Sequence, residues 1–250
     1  MPIKVGRLPY LHAEPFYFDM QRRGIELYEM LPSAMAAAAE SGEIDAGLVP
    51  VVDTFRLEDR FEPVSGFCIG CGDRSGSVFL YSTKPIEELG GARIGVTDEA
   101  TTSPKLLEVL FKLKYGIELA EYVPIQPPEY DAFVLIGNRA LRQRRGARGF
   151  PHQYDLGEEW NKWTGLPFVF ARWIVRKDLP KPESALLEDT LYVGLEDGVD
   201  ALYHLNEPRD DLLMLPRDVV AHLQGVRYFM GLSEQKSVRT FREYLEQLDS

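Results

Sequence analysis

Cysteine is scarce in this 250-residue chain: Cys68 and Cys71 are the only two, and both belong to one CIGC motif. A zinc site needs four ligands and no second pair exists, while a thioredoxin-type site needs the motif to open a helix, and here Gly72 and Asp73 follow instead. Buried thiols stand beside the redox and metal readings as the plainer alternative. Histidine is sparse too, with four residues, and there is no Gly-rich phosphate loop, no G-x-S-x-G and no H-E-x-x-H; the nucleotide, nucleophile-elbow and zinc-protease readings lose their motifs. No apolar stretch reaches the roughly 18 residues of a membrane span. Residues 1–16, MPIKVGRLPYLHAEPF, lack a long apolar core with a small-residue cleavage site, so no signal peptide and a cytoplasmic address are expected. Positive charge is also short: 28 Lys and Arg face 39 Asp and Glu, a net charge of −11, which weighs against nucleic acid and anionic membranes as partners. A small anion is not excluded, because screening over about 8 Å lets a few local donors outweigh distant carboxylates.

What is present describes a globular α/β protein. Hydrophobic residues make up 45% and charged ones 27%, enough for one large or two small cores. Ile3–Leu8 reads as a strand, residues 9–15 as a turn, and Pro15 as the first residue of a helix running to about Arg23. Ile25–Leu31 reads as a strand and Ala34–Ser41 as an alanine-rich helix stopped by Gly42; Ile44–Pro50 is a further strand. Val64–Ile69 and Ser77–Ser82 read as strands around a glycine-rich loop. The texture then repeats: strand Arg93–Thr97, helix Thr101–Tyr115, strand Leu119–Val123, a Pro127-Pro128 loop, strand Asp131–Ile136 and a helix after Gly137-Asn138. After Arg176 the spacing predicts three helices, 183–205, 218–229 and 233–248, the first with Tyr192, Leu195, Val199 and Leu202 on one face. No short repeat suggests a solenoid.

The stretch YDLGEEWNKWTGLPFVFARW, Tyr154 to Trp173, organises the rest. Leu166–Val175 is an apolar run of the kind found in strands buried on both faces, and Trp160, Trp163 and Phe168 either wall a cleft or fill a core. Thr101-Thr102-Ser103-Pro104 follows a strand and loop; with Ser103 as N-cap and Pro104 at the first helical position, the helix N-terminus and three hydroxyls make an anion site, while capping alone accounts for Ser103 and Pro104. Ser75-Gly76-Ser77 offers two hydroxyls about a glycine that lets amides approach a ligand. His12, on the turn after the first strand, is a general base or a surface histidine. The run Arg139, Arg142, Arg144, Arg145, Arg148 is a phosphate site or a solvated face.

Taken in order, GRLPYLHAEP, SGEIDAGLVP, SGSVFLYSTKP, TTSPKLLEVL, DAFVLIGNRAL, YDLGEEWNKWTGLPFVFARW and VRYFMGL resemble the chorismate dehydratases of the futalosine route to menaquinone, from Val5 to about Leu248. The resemblance implies a type II periplasmic-binding-protein-like fold of two lobes, 1–82 with 173–250 and 83–172, with the ligand in the cleft between them. It also implies a carbon–oxygen lyase that converts chorismate to 3-[(1-carboxyvinyl)oxy]benzoate without cofactor or metal. Ser77 falls on that family's pocket serine. His12 stands where the family usually has Asn, and Asn138 where an Asp is common. The expected catalytic groups are His12 and Ser77; Tyr10, Ser75, Gly76, Ser77, Thr101, Thr102, Ser103, Gly137, Asn138, Trp160 and Phe168 are expected to bind substrate. The partner is a small dicarboxylate, and the protein a monomer or homodimer. The rival readings are the 1,4-dihydroxy-6-naphthoate-forming lyase of the same pathway and a non-catalytic cytoplasmic binding protein for small aromatic or cyclic acids.

Overall fold

The computed structural model describes residues 2–118, 121–125 and 130–248. The start of the expected strand at Leu119 and the Pro127-Pro128 loop lie outside the described residues. The chain divides into two compact units, Met1–Ile69 with Phe170–Met230, and Gly70–Val169 with Gly231–Ser250.

In the first unit the strands are β1 (Lys4–Arg7), β2 (Glu26–Glu29), β3 (Ala46–Pro50), β4 (Phe61–Cys71), β10 (Phe168–Arg176) and β11 (Val226–Phe229), in the order β11-β4-β10-β3-β1-β2. β1 runs parallel to β2 and β3, with Val5 opposite both Leu27 and Ala46, whereas β10 is antiparallel to β3, pairing Val175 with Ala46. All five residues of β3 are buried, as a strand covered on both faces must be. α1 (Pro32–Ser41) starts at Pro32, which takes the first helical position ahead of the alanines, and Gly42 closes it at φ 76°. α2 (Val51–Leu57) leaves β3 directly. The segment after β1 is not a turn followed by an α-helix: Leu11–Tyr17 and Gln21–Arg23 are 3-10 turns, the first built on the Tyr10 carbonyl, which accepts from Ala13 and Glu14 N–H at 2.9 and 3.1 Å.

α6 (Lys181–Tyr203) packs along the Leu11–Tyr17 turn with Gly194 and Gly198 beside the Pro15 and Phe16 backbone, and its buried residues include Leu187, Leu191, Leu195 and Leu202. Tyr192, expected on that face, is 47% exposed and stacks on Phe229. The buried face is shifted because two of its members are glycines, which apolar periodicity does not count. At Gly198 a Cβ would stand 2.6 Å from Pro15 Cα and 2.8 Å from its carbonyl oxygen, so only glycine lets helix and turn approach so closely. α7 (Pro216–Gly225) ends where β11 begins, so Val226–Phe229 is not the tail of a helix. The burial of β11 alternates, and Met230 N–H extends the pairing to the Gly66 carbonyl at 2.8 Å; a β-branched and aromatic alternation wins here over the helical spacing.

The second unit carries β5 (Val78–Ser82), β6 (Arg93–Val96), β7 (Glu121–Pro124), β8 (Ala132–Ile136) and β9 (His152–Asp155), in the order β7-β6-β8-β5-β9. β6 is parallel to β7 and β8, and β5 is antiparallel to β8 and β9. β5 is thus a strand of the second sheet, whereas the first lobe was expected to run through residue 82. Phe79, Tyr81, Phe133 and Leu135 form a core that Tyr130 and Phe150 cover. Three helices follow strands of this sheet: α3 (Thr102–Val109), which ends in a π-helical turn, Leu110–Tyr115, then α4 (Gly137–Gln143) and α5 (Leu156–Thr164). α8 (Leu232–Leu248) belongs to the same unit, again outside the expected lobe boundary.

Replacing Gly198 by Ala should cost about 1–3 kcal/mol in urea unfolding, the usual range for overpacking against backbone. Gly90→Ala, with nothing within 4 Å of the new Cβ, should stay within about 0.5 kcal/mol of the parent.

Candidate functional site

The register of the second sheet brings most of the sequence-predicted site to one edge. Val78 pairs with Ile136 and Phe79 with Asp155, while β6 runs parallel to β8. The starts of α4 and α5, the loop leading to α3 and the Ser75–Ser77 loop before β5 therefore lie along the carboxyl ends of β6, β8 and β9. Ligands of α/β sheets gather at such ends, where helix N-termini expose amides and a partial positive charge.

The Ser75–Ser77 loop is built from its own polar groups. Ser75 Oγ accepts from Val78 N–H at 3.0 Å and from Ser77 N–H at 3.3 Å, whereas Ser77 Oγ makes only a long 3.5 Å bond to the Ser75 carbonyl. Ser75 thus spends its hydroxyl on folding the loop, and Ser77 holds the less committed one. Gly137 N–H donates to the Ser77 carbonyl at 2.9 Å, joining the start of α4 to the loop. Asn138 follows, half-buried in the first turn of α4.

α3 starts within one residue of the expected Thr101, but its cap is not Ser103. Thr101 takes the N-cap position without a capping side-chain bond, so Thr102 and Ser103 are the first two helical residues and Pro104 the third, rather than Ser103 capping and Pro104 first. Pro104 is still tolerated, since the third amide of a helix has no partner within the helix. Thr102 and Ser103 are each only 4% exposed. The far end of this helical segment is tied to α5 by Glu159, whose carboxylate receives both Lys114 Nζ and Tyr115 Oη. Burial alone would raise the Glu159 pKa, but these two hydrogen bonds outweigh it and hold it below the usual carboxylate value.

The residue that sequence reasoning missed is Asp155. Its side chain is 1% exposed and accepts four backbone N–H groups. Oδ1 takes Ser75 (3.0 Å), Gly157 (3.0 Å) and Glu158 (3.2 Å), and Oδ2 takes Gly76 (2.7 Å). One carboxylate therefore caps α5 and holds the Ser75-Gly76 backbone; Arg74 Nε lies 3.7 Å from Oδ2. Without it each of those amides would be left short of an acceptor at about 1–3 kcal/mol apiece if buried. The signal was present in the sequence: Asp155 precedes Glu158 by three residues, the N-cap spacing of a helix start.

Two expected wall residues are core residues instead. Trp160 is fully buried, donates Nε1 to the Pro167 carbonyl and to Ser237 Oγ at 3.1 Å each, and packs edge-on against Phe168 and Phe241. Phe168 is 1% exposed in the same cluster. Both rings are spent on seating α5 against α8, as large aromatics mostly are. The CIGC pair lies along β4 with both thiols buried and unbridged. Three strand residues span roughly 10 Å, beyond the ~7 Å reach of a disulfide. The five arginines from Arg139 to Arg148 are exposed or half-exposed, with Arg139 Nη1 3.5 Å from Glu99, the solvated-face arrangement.

Tyr10 and His12 belong to the first unit. His12 sits on the Leu11–Tyr17 turn, 9% exposed, with the rings of Tyr10 and His222 at 5.6 and 5.8 Å. Arg209 holds the same turn by gripping both oxygens of Glu14 at 3.0 and 2.9 Å. Burial, and then the neighbouring His222, push the His12 pKa down to about 3. The ring is therefore uncharged at neutral pH and too weakly basic to be the strong general base that its position suggested.

With this arrangement in view, comparison with known proteins defines the class. Protein AF1704 from Archaeoglobus fulgidus aligns over 99% of this chain and 98% of its own, with a TM-score of 0.73 at 17% identity. The CA3427 gene product of Candida albicans, described as having the generic periplasmic binding protein fold, aligns over 100% and 90% with a TM-score of 0.57 at 9% identity. The chain thus has an α/β fold of the periplasmic binding protein type. It belongs to the menaquinone biosynthesis family, which it matches over residues 3–247. Chorismate dehydratase from Thermus thermophilus is 24% identical over 98% of this chain and 95% of that protein. Among the described residues no helix is long and apolar enough to cross a membrane.

The depressed His12 pKa makes a stability prediction whose sign is fixed. Between about pH 6.5 and 3 the unfolded chain binds a proton at His12 that the folded chain does not, so acidification destabilises the fold by up to about 1.4 kcal/mol per pH unit from this group. Urea unfolding measured from about pH 7 to 4.5 should give a shallower pH dependence in His12→Asn than in the parent; parallel curves would mean that His12 titrates normally.

Proposed function

We propose that this protein dehydrates chorismate to 3-[(1-carboxyvinyl)oxy]benzoate. The observation that carries the reading is the edge of the second sheet where Ser77, Gly137 and the Thr101–Ser103 helix start lie together, in a chain similar over nearly its whole length to a chorismate dehydratase. Chorismate carries two carboxylates, and hydroxyls with helix-terminal amides are groups that hold them without arginine. Charge-assisted bonds of about 1.5–3 kcal/mol each suffice for micromolar binding.

The chemistry asks little more of the protein than position. The proton leaves the ring carbon that bears the enol ether, the C–H electrons become the new ring double bond, and the hydroxyl on the neighbouring carbon departs. Proton and hydroxide together make one water, and aromaticity drives the step. A carboxylate of the substrate itself is assigned as proton acceptor. Ser77, Thr102 and Ser103 orient the ring through its carboxylates. His12 in place of the Asn usual in the family is the feature that favours the second reading, an altered substrate such as that of the naphthoate-forming lyase.

Purified protein mixed with chorismate should produce 3-[(1-carboxyvinyl)oxy]benzoate, detected by chromatography. The double variant Ser77→Ala, Thr102→Ala should bind chorismate at least tenfold more weakly, about 1.4 kcal/mol. Tight binding of chorismate with no new aromatic product would make the protein a binding protein and overturn the lyase reading. Unchanged affinity in the double variant would remove those two residues from the site.

A further inference from the structure

We propose that Asp155 is a positioning residue: its carboxylate sets the conformation in which the Ser75–Ser77 loop presents the Ser77 hydroxyl to a carboxylate ligand. This rests on the reading that the loop binds substrate. The argument comes from how the two oxygens divide their work. Oδ1 serves the cap of α5 through Gly157 and Glu158, and also takes Ser75 N–H; Oδ2 serves Gly76 alone among the amides. The Gly76 bond, at 2.7 Å, is the shortest of the four. Gly76 sits at φ 66°, a left-handed conformation that glycine adopts readily, so the turn needs an external anchor to choose it.

The loop is then held from three directions: by the Asp155 carboxylate, by the Ser75 hydroxyl bonded to the amides of Ser77 and Val78, and by Gly137 N–H on the Ser77 carbonyl. Of these anchors only Asp155 joins the loop to α5. α5 itself approaches the loop so closely that a Cβ on Gly157 would lie 3.2 Å from the Ser75 amide and 2.5 Å from Cys71 Sγ. A ligand carboxylate approaching Ser77 therefore meets a hydroxyl on a loop whose own amides are already satisfied, and little ordering is left for binding to supply. Asp155 touches no reacting atom in this scheme and acts through the loop.

Asp155→Asn separates the two duties. Asn is as good a helix cap as Asp, so its oxygen, in the place of Oδ1, keeps Gly157 and Glu158. Its amide nitrogen, in the place of Oδ2, opposes Gly76 N–H donor to donor. Hydrogen exchange should show the Gly76 amide exchanging at least about tenfold faster in the variant, with Gly157 and Glu158 within about threefold of the parent and cooperative thermal unfolding retained. Chorismate affinity by calorimetry should fall at least about tenfold, but less than about threefold when Asp155→Asn is added to Ser77→Ala, because the two changes disable one element. Unchanged protection at Gly76, or an equal loss of affinity in both backgrounds, overturns the proposal. If the parent binds no chorismate, the functional reading fails, and the exchange measurement alone then decides whether Asp155 sets the loop.

Discussion

A single buried carboxylate gathers the backbone around which the second unit's polar edge is arranged. Asp155 ends β9, begins α5 and reaches across 80 residues of sequence to the amide of Ser75. Four N–H dipoles offset its charge, the usual condition for keeping an ion out of water. The two helix starts on this edge are finished differently. Asp155 caps the N-terminus of α5 with its side chain, while α3 has Thr101 at its N-cap position without a capping side-chain bond.

The first unit shows the opposite treatment of a titratable group. His12 has no carboxylate among its ring neighbours; it is packed with Tyr10 and His222 on a turn fixed by Gly198 and by the Arg209–Glu14 pair. Burial without a compensating charge suppresses protonation. Asp155 is met by four backbone N–H donors, whereas His12 is packed among aromatic rings.

Much of the fold was legible because apolar runs and helix punctuation are local. β3, β8 and β10 announced themselves as apolar segments, and α1 by its alanines and Gly42. The missed elements are those in which a local pattern was ambiguous. In α5 the tryptophans and turn formers hid the Asp155–Glu158 spacing; at Val226–Phe229 a short alternation was taken as the end of a helix; along α6 Gly194 and Gly198 form the closest contact while looking like interruptions. The site divides in the same way. Ser75, Ser77, Thr101, Thr102 and Ser103 could be picked out as hydroxyls at strand ends. That Ser75 spends its oxygen inside the loop, that Trp160 and Phe168 face a core, and that Asp155 holds the loop all depend on contacts between distant segments, which no local pattern encodes.

The division of the chain also bears on how the molecule comes into being. The first unit is assembled from Met1–Ile69 and Phe170–Met230, with the whole Gly70–Val169 segment made between them, and the second unit in turn awaits its terminal helix from Gly231 onward. During synthesis β3 must wait for β10, because Ala46 pairs with Val175, leaving a fully apolar strand with one edge open while about 120 residues emerge at roughly 5–20 per second. Many seconds of exposed strand edge is an aggregation hazard on the ribosome, one that two consecutive domains would not meet in this form.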